Sequence, residues 1–152
     1  MGTGTNESAA LSGRTTRTLV AVLALVGVFI SGYLTYVELK GIEPVCLPEA
    51  ACDVVLSSPY ARVWGVPLAL LGLLMYALLM GLGLLDRGRK TGKQGLAPVG
   101  IFSVALAGTL YSAYLFYLQA VEIHAFCTWC LASALVVSAI LVLSGRRLIV
   151  AR

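Results

Sequence analysis

The sequence predicts an all-α integral-membrane protein, a four-helix bundle with a short helix in the outer loop between helices 1 and 2. Three observations carry this prediction. Hydrophobic residues fill 59% of the 152 positions and charged residues only 12%, whereas soluble domains carry roughly 25% charged residues. With a mean hydropathy of +0.92, the chain has too few charges to clothe a core in water, and it is far too apolar for intrinsic disorder. Four stretches approach the roughly 20 apolar residues that cross a bilayer core as a helix. Strand-period alternation is absent, which argues against a membrane barrel.

Residues 1–17 read as an N-terminal tail, the first thirteen rich in Gly, Thr, Ser and Asn and expected to be disordered. The first span covers residues 18–37. Its length and the lack of a small-x-small cleavage site mark an uncleaved helix rather than a signal peptide. The outer connection, residues 40–65, contains Pro44, Pro48 and Pro59 and cannot form one long helix. A short helix is expected to begin near Cys52 or Asp53, with Asp53 as its N-cap and a local base beside Cys52 as the alternative. The second span covers residues 67–85, the basic loop 86–95 follows, and the third span covers 98–120. The fourth runs over 127–143, so one membrane domain occupies 18–145 and a short tail 146–152.

Charge orients the bundle. Of eleven Lys and Arg, nine fall on one side: Arg14, Arg17, Arg87, Arg89, Lys90, Lys93, Arg146, Arg147 and Arg152. Only Lys40 and Arg62 fall on the other. A basic excess marks the cytoplasmic face, so both termini are expected inside. The net charge of +4 follows from this topology and calls for no nucleic-acid partner; the expected surroundings are lipid.

That orientation places all four cysteines outside, where disulfides persist. Cys46 and Cys52 lie in the outer loop with five residues between them, and Cys127 and Cys130 form CTWC where the fourth span begins. A thiol at a helix N-terminus meets the positive end of the helix dipole, which favours thiolate, and Cys127 is so placed. Cys130 lies one turn deeper. Exchange through mixed disulfides would link a soluble partner, the loop pair, the helix pair and a lipid-soluble acceptor. Two alternatives stand beside this relay. The pairs could be structural staples in a non-enzymatic four-helix subunit, although the bilayer already holds such a bundle together. They could bind zinc, although C-x5-C with C-x2-C is loose spacing for that metal.

This pattern resembles the vitamin K epoxide reductase family in its bacterial branch. The resemblance rests on Cys46 and Cys52, on Ser57 and Ser58 in CDVVLSSPY, on GVPLALLGLLMY with Gly65, Pro67, Gly72 and Tyr76, and on CTWC. Order is informative: in the unrelated DsbB-type disulfide generator the CxxC precedes the loop pair, and here it follows. The resemblance implies a thiol-disulfide oxidoreductase of a bacterial inner membrane that reduces a quinone, menaquinone or ubiquinone, and promotes disulfide formation. It implies that Cys130 lies beside the quinone and Cys127 exchanges with the loop pair. Cys46 and Cys52 would take electrons from a thioredoxin-fold, DsbA-like protein, expected to be separate because the chain ends at Arg152. Ser57 and Ser58 are expected near the quinone. The asparagine by which the animal enzyme contacts vitamin K is matched here by Leu68, so that contact does not carry over.

Other polar residues read more plainly. His124 is expected as a polar interfacial position, with proton shuttling as the alternative. Glu38 and Glu122 are expected to be solvated near the interface. Tyr111, Tyr114 and Tyr117 suit packing and an aromatic belt, with the Tyr114 hydroxyl a candidate partner for a quinone carbonyl. Trp64 and Trp129 are expected to mark the outer interface. Gly27 with Ser31, and Gly108 with Ser112, suit close helix packing in lipid.

Overall fold

The computed structural model describes residues 3–47, 51–88 and 96–150, with side chains described from Gly13 onward and as far as Arg87 in the second stretch. Arg89, Lys90, Lys93, Arg152, Pro48 and most of the 86–95 loop lie outside the described residues. Helix α1 spans Thr3–Lys40, α2 Cys52–Ser57, α3 Leu68–Gly88, α4 Leu96–Leu118 and α5 Thr128–Val150. Among the described residues, four segments are long and apolar enough to cross a membrane: Gly13–Lys40, Leu68–Arg87, Leu96–Ile123 and Thr128–Val150. Many of their large apolar side chains point outward, among them Phe29, Leu74, Leu110 and Leu135. In water that surface would be untenable; against lipid tails it is ordinary.

The element ends depart from the sequence expectations in instructive ways. The stretch expected as a disordered tail is helical from Thr3 in α1. It holds no proline, and extending an existing helix needs no new nucleus. Helix α5 likewise continues past the apolar run to Val150, with Arg147 in its last turn, where a cation suits the helix dipole. Helix α1 stops at Gly41, whose φ of +66° lets the chain turn back. The Gly41 N–H then donates to the Glu38 carbonyl and the Ile42 N–H to the Val37 carbonyl, at 3.3 and 3.0 Å, which satisfies carbonyls the helix end would strand.

The short outer helix α2 does begin at Cys52, but its N-cap is Ala51, which makes no side-chain cap. Asp53 sits instead in the first turn, where a carboxylate faces the positive end of the dipole. Beyond a single turn of 3-10 helix, Pro59–Ala61, the chain forms a small hairpin absent from the sequence reading. Strand β1 (Arg62–Val63) pairs antiparallel with β2 (Val66–Pro67), Val63 opposite Val66. Trp64 and Gly65 turn the corner with φ of 52° and 81°, the left-handed pair a two-residue hairpin of the primed type requires. Strands of two residues are too short to leave an alternation signal.

Helix α1 packs on α3 and α5, and α4 on α5 and α3, which closes the four spans into a ring. The core holds Val20, Ala24, Tyr76, Leu79, Ile101, Ala105, Val137 and Ile140. Close approach depends on two glycines: a Cβ on Gly27 would enter the Tyr76 ring, and one on Gly108 would press on Met75 and Val137. At one end of the bundle, buried Asp86 of α3 accepts a 2.6 Å hydrogen bond from Arg147 of α5 and pairs with Arg17 of α1 at 3.2 Å. Three helices are thereby tied at one point. All four cysteines lie at the opposite end.

Candidate active site at the cysteine end of the bundle

The site grows from a defect in α4. After Leu118 the helix widens into a π turn, Gln119–Ile123, closed by His124 in the left-handed conformation at φ 54°. Such widened turns are frequent at functional sites. Here the chain is redirected into α5, and Cys127 becomes the residue before that helix. Its carbonyl accepts the Leu131 N–H at 3.0 Å, and its Sγ accepts the Cys130 N–H at 3.3 Å. The sulfur thus occupies the place a capping oxygen takes at other helix starts.

Cys127 is fully buried, and its thiol is held below the ordinary thiol range. The hydrogen bond from the Cys130 thiol is the largest cause; burial opposes it, and the backbone N–H groups of Cys130 and Trp129 reinforce it. The pair is reduced, while Cys46 and Cys52 form a disulfide with their Cα atoms 6.4 Å apart. Both pairs belong to one apolar cluster. Cys52, Val55, Ala125 and Cys127 are buried in it, with Cys46, Trp129 and Cys130 packed against them.

The loop is fastened to CTWC by Trp129. Its indole Nε1–H donates to the Val45 carbonyl at 2.7 Å, and its ring packs on Tyr33 at 5.1 Å. The Tyr33 hydroxyl in turn accepts the Val45 N–H at 3.1 Å. Both backbone groups of the residue preceding Cys46 are therefore committed. Trp129 does more than mark an interface: it joins the two cysteine segments.

Beneath the cysteines lies a cavity of about 420 Å³, within the size range of small-molecule sites. Helix α1 contributes Ser31 and Leu34, the outer segment Val55 and Ser58, and α3 Leu68, Gly72 and Met75. Helix α4 contributes Gly108, Tyr111 and Ser112, and α5 Cys130 and Ser133. The lining is mainly apolar with a few hydroxyls. Behind it the Tyr76 hydroxyl contacts the Ser133 carbonyl and Oγ at 2.8 and 2.9 Å, bracing α3 against α5.

The residues singled out from the sequence divide between lining and periphery. Cys130 and Ser58 border the cavity, and the Ser58 hydroxyl donates to the Val55 carbonyl at 2.7 Å. Ser57 is exposed and donates to the Val54 carbonyl at 3.2 Å, away from the lining. Tyr114 points outward beside Tyr111 and is not among the lining residues, whereas Tyr111 is. His124 and Asp53 are exposed. Glu38 corrects an expectation: its side chain is only 7% exposed, it pairs with Arg62 at 3.7 Å, and neither carboxylate oxygen has a hydrogen-bond partner. Glu122 is exposed, as expected. Ser31 and Ser112, read from the sequence as packing residues, line the cavity. Gln119 was not singled out; its only signal was an amide side chain inside an otherwise apolar span.

The fold and these residues define a multi-pass helical membrane protein whose two cysteine pairs meet above an apolar cavity. The sequence matches the model of the Vitamin K epoxide reductase family over residues 18–144, and the chain belongs to that family. It is also similar to the Thiol-disulfide oxidoreductase LTO1 of Arabidopsis thaliana, with 32% identity over 115 residues. That alignment covers 68% of this chain and 29% of the plant protein, so this chain spans under a third of that relative.

Proposed function

We propose that the protein is a thiol-disulfide oxidoreductase that passes electrons from a thioredoxin-fold, DsbA-like dithiol protein to a membrane quinone and so drives disulfide formation. One observation carries the reading: Cys130 borders the cavity while Cys127, one turn away, packs with Cys52 in the same buried cluster. The pair adjoining the cavity and the pair nearest the loop surface are thus in series.

In the proposed cycle, the thiols of Cys127 and Cys130 give up two electrons and two protons and become a disulfide, and quinone becomes quinol. The lowered Cys127 thiol makes its thiolate available for exchange. Through a mixed disulfide, the oxidised helix pair takes two electrons from the Cys46–Cys52 dithiol. The loop disulfide so formed takes two more from the partner. Menaquinone or ubiquinone would serve, since a mainly apolar lining with scattered hydroxyls suits a hydrophobic ring bearing two carbonyls. The basic excess at the end away from the cysteines supports a cytoplasmic orientation for that end and an outer one for the cysteines, in what we read as a bacterial inner membrane.

Purified protein supplied with a reduced thioredoxin-fold dithiol and ubiquinone-1 tests the reading. Quinone reduction is expected, with Cys130→Ala lowering the rate by roughly a hundredfold or more, as loss of a covalent participant does. An unchanged rate in that variant would sink the mechanism.

A further inference from the structure

The π turn at the end of α4 presents one amide side chain at the junction of the CTWC segment and the cavity. Gln119 is only 4% exposed and belongs to the cavity lining. Its Oε1 accepts the backbone N–H of Cys127 at 3.1 Å. A backbone N–H can only donate, so the oxygen of the amide must face Cys127 and the amide nitrogen must face elsewhere. Among the described residues that nitrogen has no protein partner. That nitrogen is therefore available to a group that fills the cavity its residue lines.

We propose that Gln119 is the specificity-determining donor of the cavity: its Nε2–H2 group hydrogen-bonds a carbonyl oxygen of the ligand while its Oε1 holds the Cys127 turn in place. The inference rests on the quinone reading above and adds the residue that recognises the carbonyl. It accounts for three otherwise unconnected facts. A polar amide lies inside an apolar span, and the helix widens there. The side chain also bridges the reduced pair and the cavity. Hydroxyls of Ser31, Tyr60, Tyr111 and Ser112 also line the cavity, but Gln119 alone joins the lining to the Cys127 backbone among the described residues, while the Ser58 hydroxyl is engaged with the Val55 carbonyl.

Two variants separate the roles. Gln119→Glu keeps an oxygen for the Cys127 N–H and removes the amide donor; Gln119→Met removes both. With ubiquinone-1 as probe, Gln119→Glu at mildly alkaline pH is expected to raise KM about tenfold with kcat little changed. Binding of ubiquinone-1, followed by quenching of tryptophan fluorescence, should weaken by the same factor. Gln119→Met should lose both binding and kcat, because the Cys127 turn is released as well. Equal KM and equal binding in Gln119→Glu and the unaltered protein would overturn the assignment while leaving quinone reduction standing. If the unaltered protein binds ubiquinone-1 but does not reduce it, the functional reading fails and the binding comparison still decides the role of Gln119. Absence of any binding by the unaltered protein overturns both.

Discussion

Cys127 shows how much a single position can hold. Its N–H is bound by Gln119, its carbonyl opens the hydrogen-bond ladder of α5, and its sulfur accepts from Cys130. Because the Cys130 thiol is the largest cause of its lowered pKa, Cys130→Ala should move the Cys127 titration upward. With Cys46–Cys52 intact, Cys127 is then the sole thiol, and thiolate absorbance in the ultraviolet reads it directly. The sign is fixed: a lowered thiol is ionised to a greater extent at neutral pH and loses its charge only as pH falls through the lowered value. In the unaltered protein the first thiol should therefore ionise below the ordinary value of about 8.5. The same midpoint in both proteins would show that Cys130 does not stabilise the thiolate. The cysteines and the capping position of Cys127 were legible in the sequence, because order and spacing along one strand of chain suffice for both. Glu38 was not, because its partner Arg62 lies across a loop and hairpin that spacing alone cannot fold.

At the scale of elements, the three-helix tie at Asp86 offers a separate test. Asp86 is buried between two cations, Arg147 at 2.6 Å and Arg17 at 3.2 Å. Removing it leaves Arg147, whose side chain is 20% exposed, without a counter-charge. Asp86→Ala should cost about 3 kcal/mol in unfolding of the detergent-solubilised protein. Arg17→Ala should cost less than about 1 kcal/mol, since its side chain is 35% exposed and solvent screens the pair. Equal losses would mean that the pair with Arg17 matters as much as the one with Arg147. Element identity was largely readable, since each span is a long apolar run. Element rotation was not. Helix α4 is apolar all round, so nothing in its sequence says that Tyr111 rather than Tyr114 faces the cavity. The hairpin around Trp64 and the π turn at Gln119 escaped notice for a related reason: each is shorter than the period that would reveal it.

Over the whole molecule, the four candidate spans among the described residues set the Asp86 tie at one end of the bundle and all four cysteines at the other. The cavity lies at the cysteine end, bordered by Cys130. Under the proposed reaction, electrons therefore enter at the loop and leave at the cavity within one half of the bilayer. Carrying one charge across the full membrane against 100 mV would require about 2.3 kcal/mol. Here that electrical work is absent for the electrons. Turnover in proteoliposomes should be insensitive to an imposed potassium-diffusion potential, and a rate that rises or falls with that potential would place part of the path across the membrane. Under the proposed reaction, gathering the sulfurs at one end would make the protein an electrically silent device: it would run at any membrane voltage, neither drawing on the cell's electrical gradient nor adding to it by moving electrons.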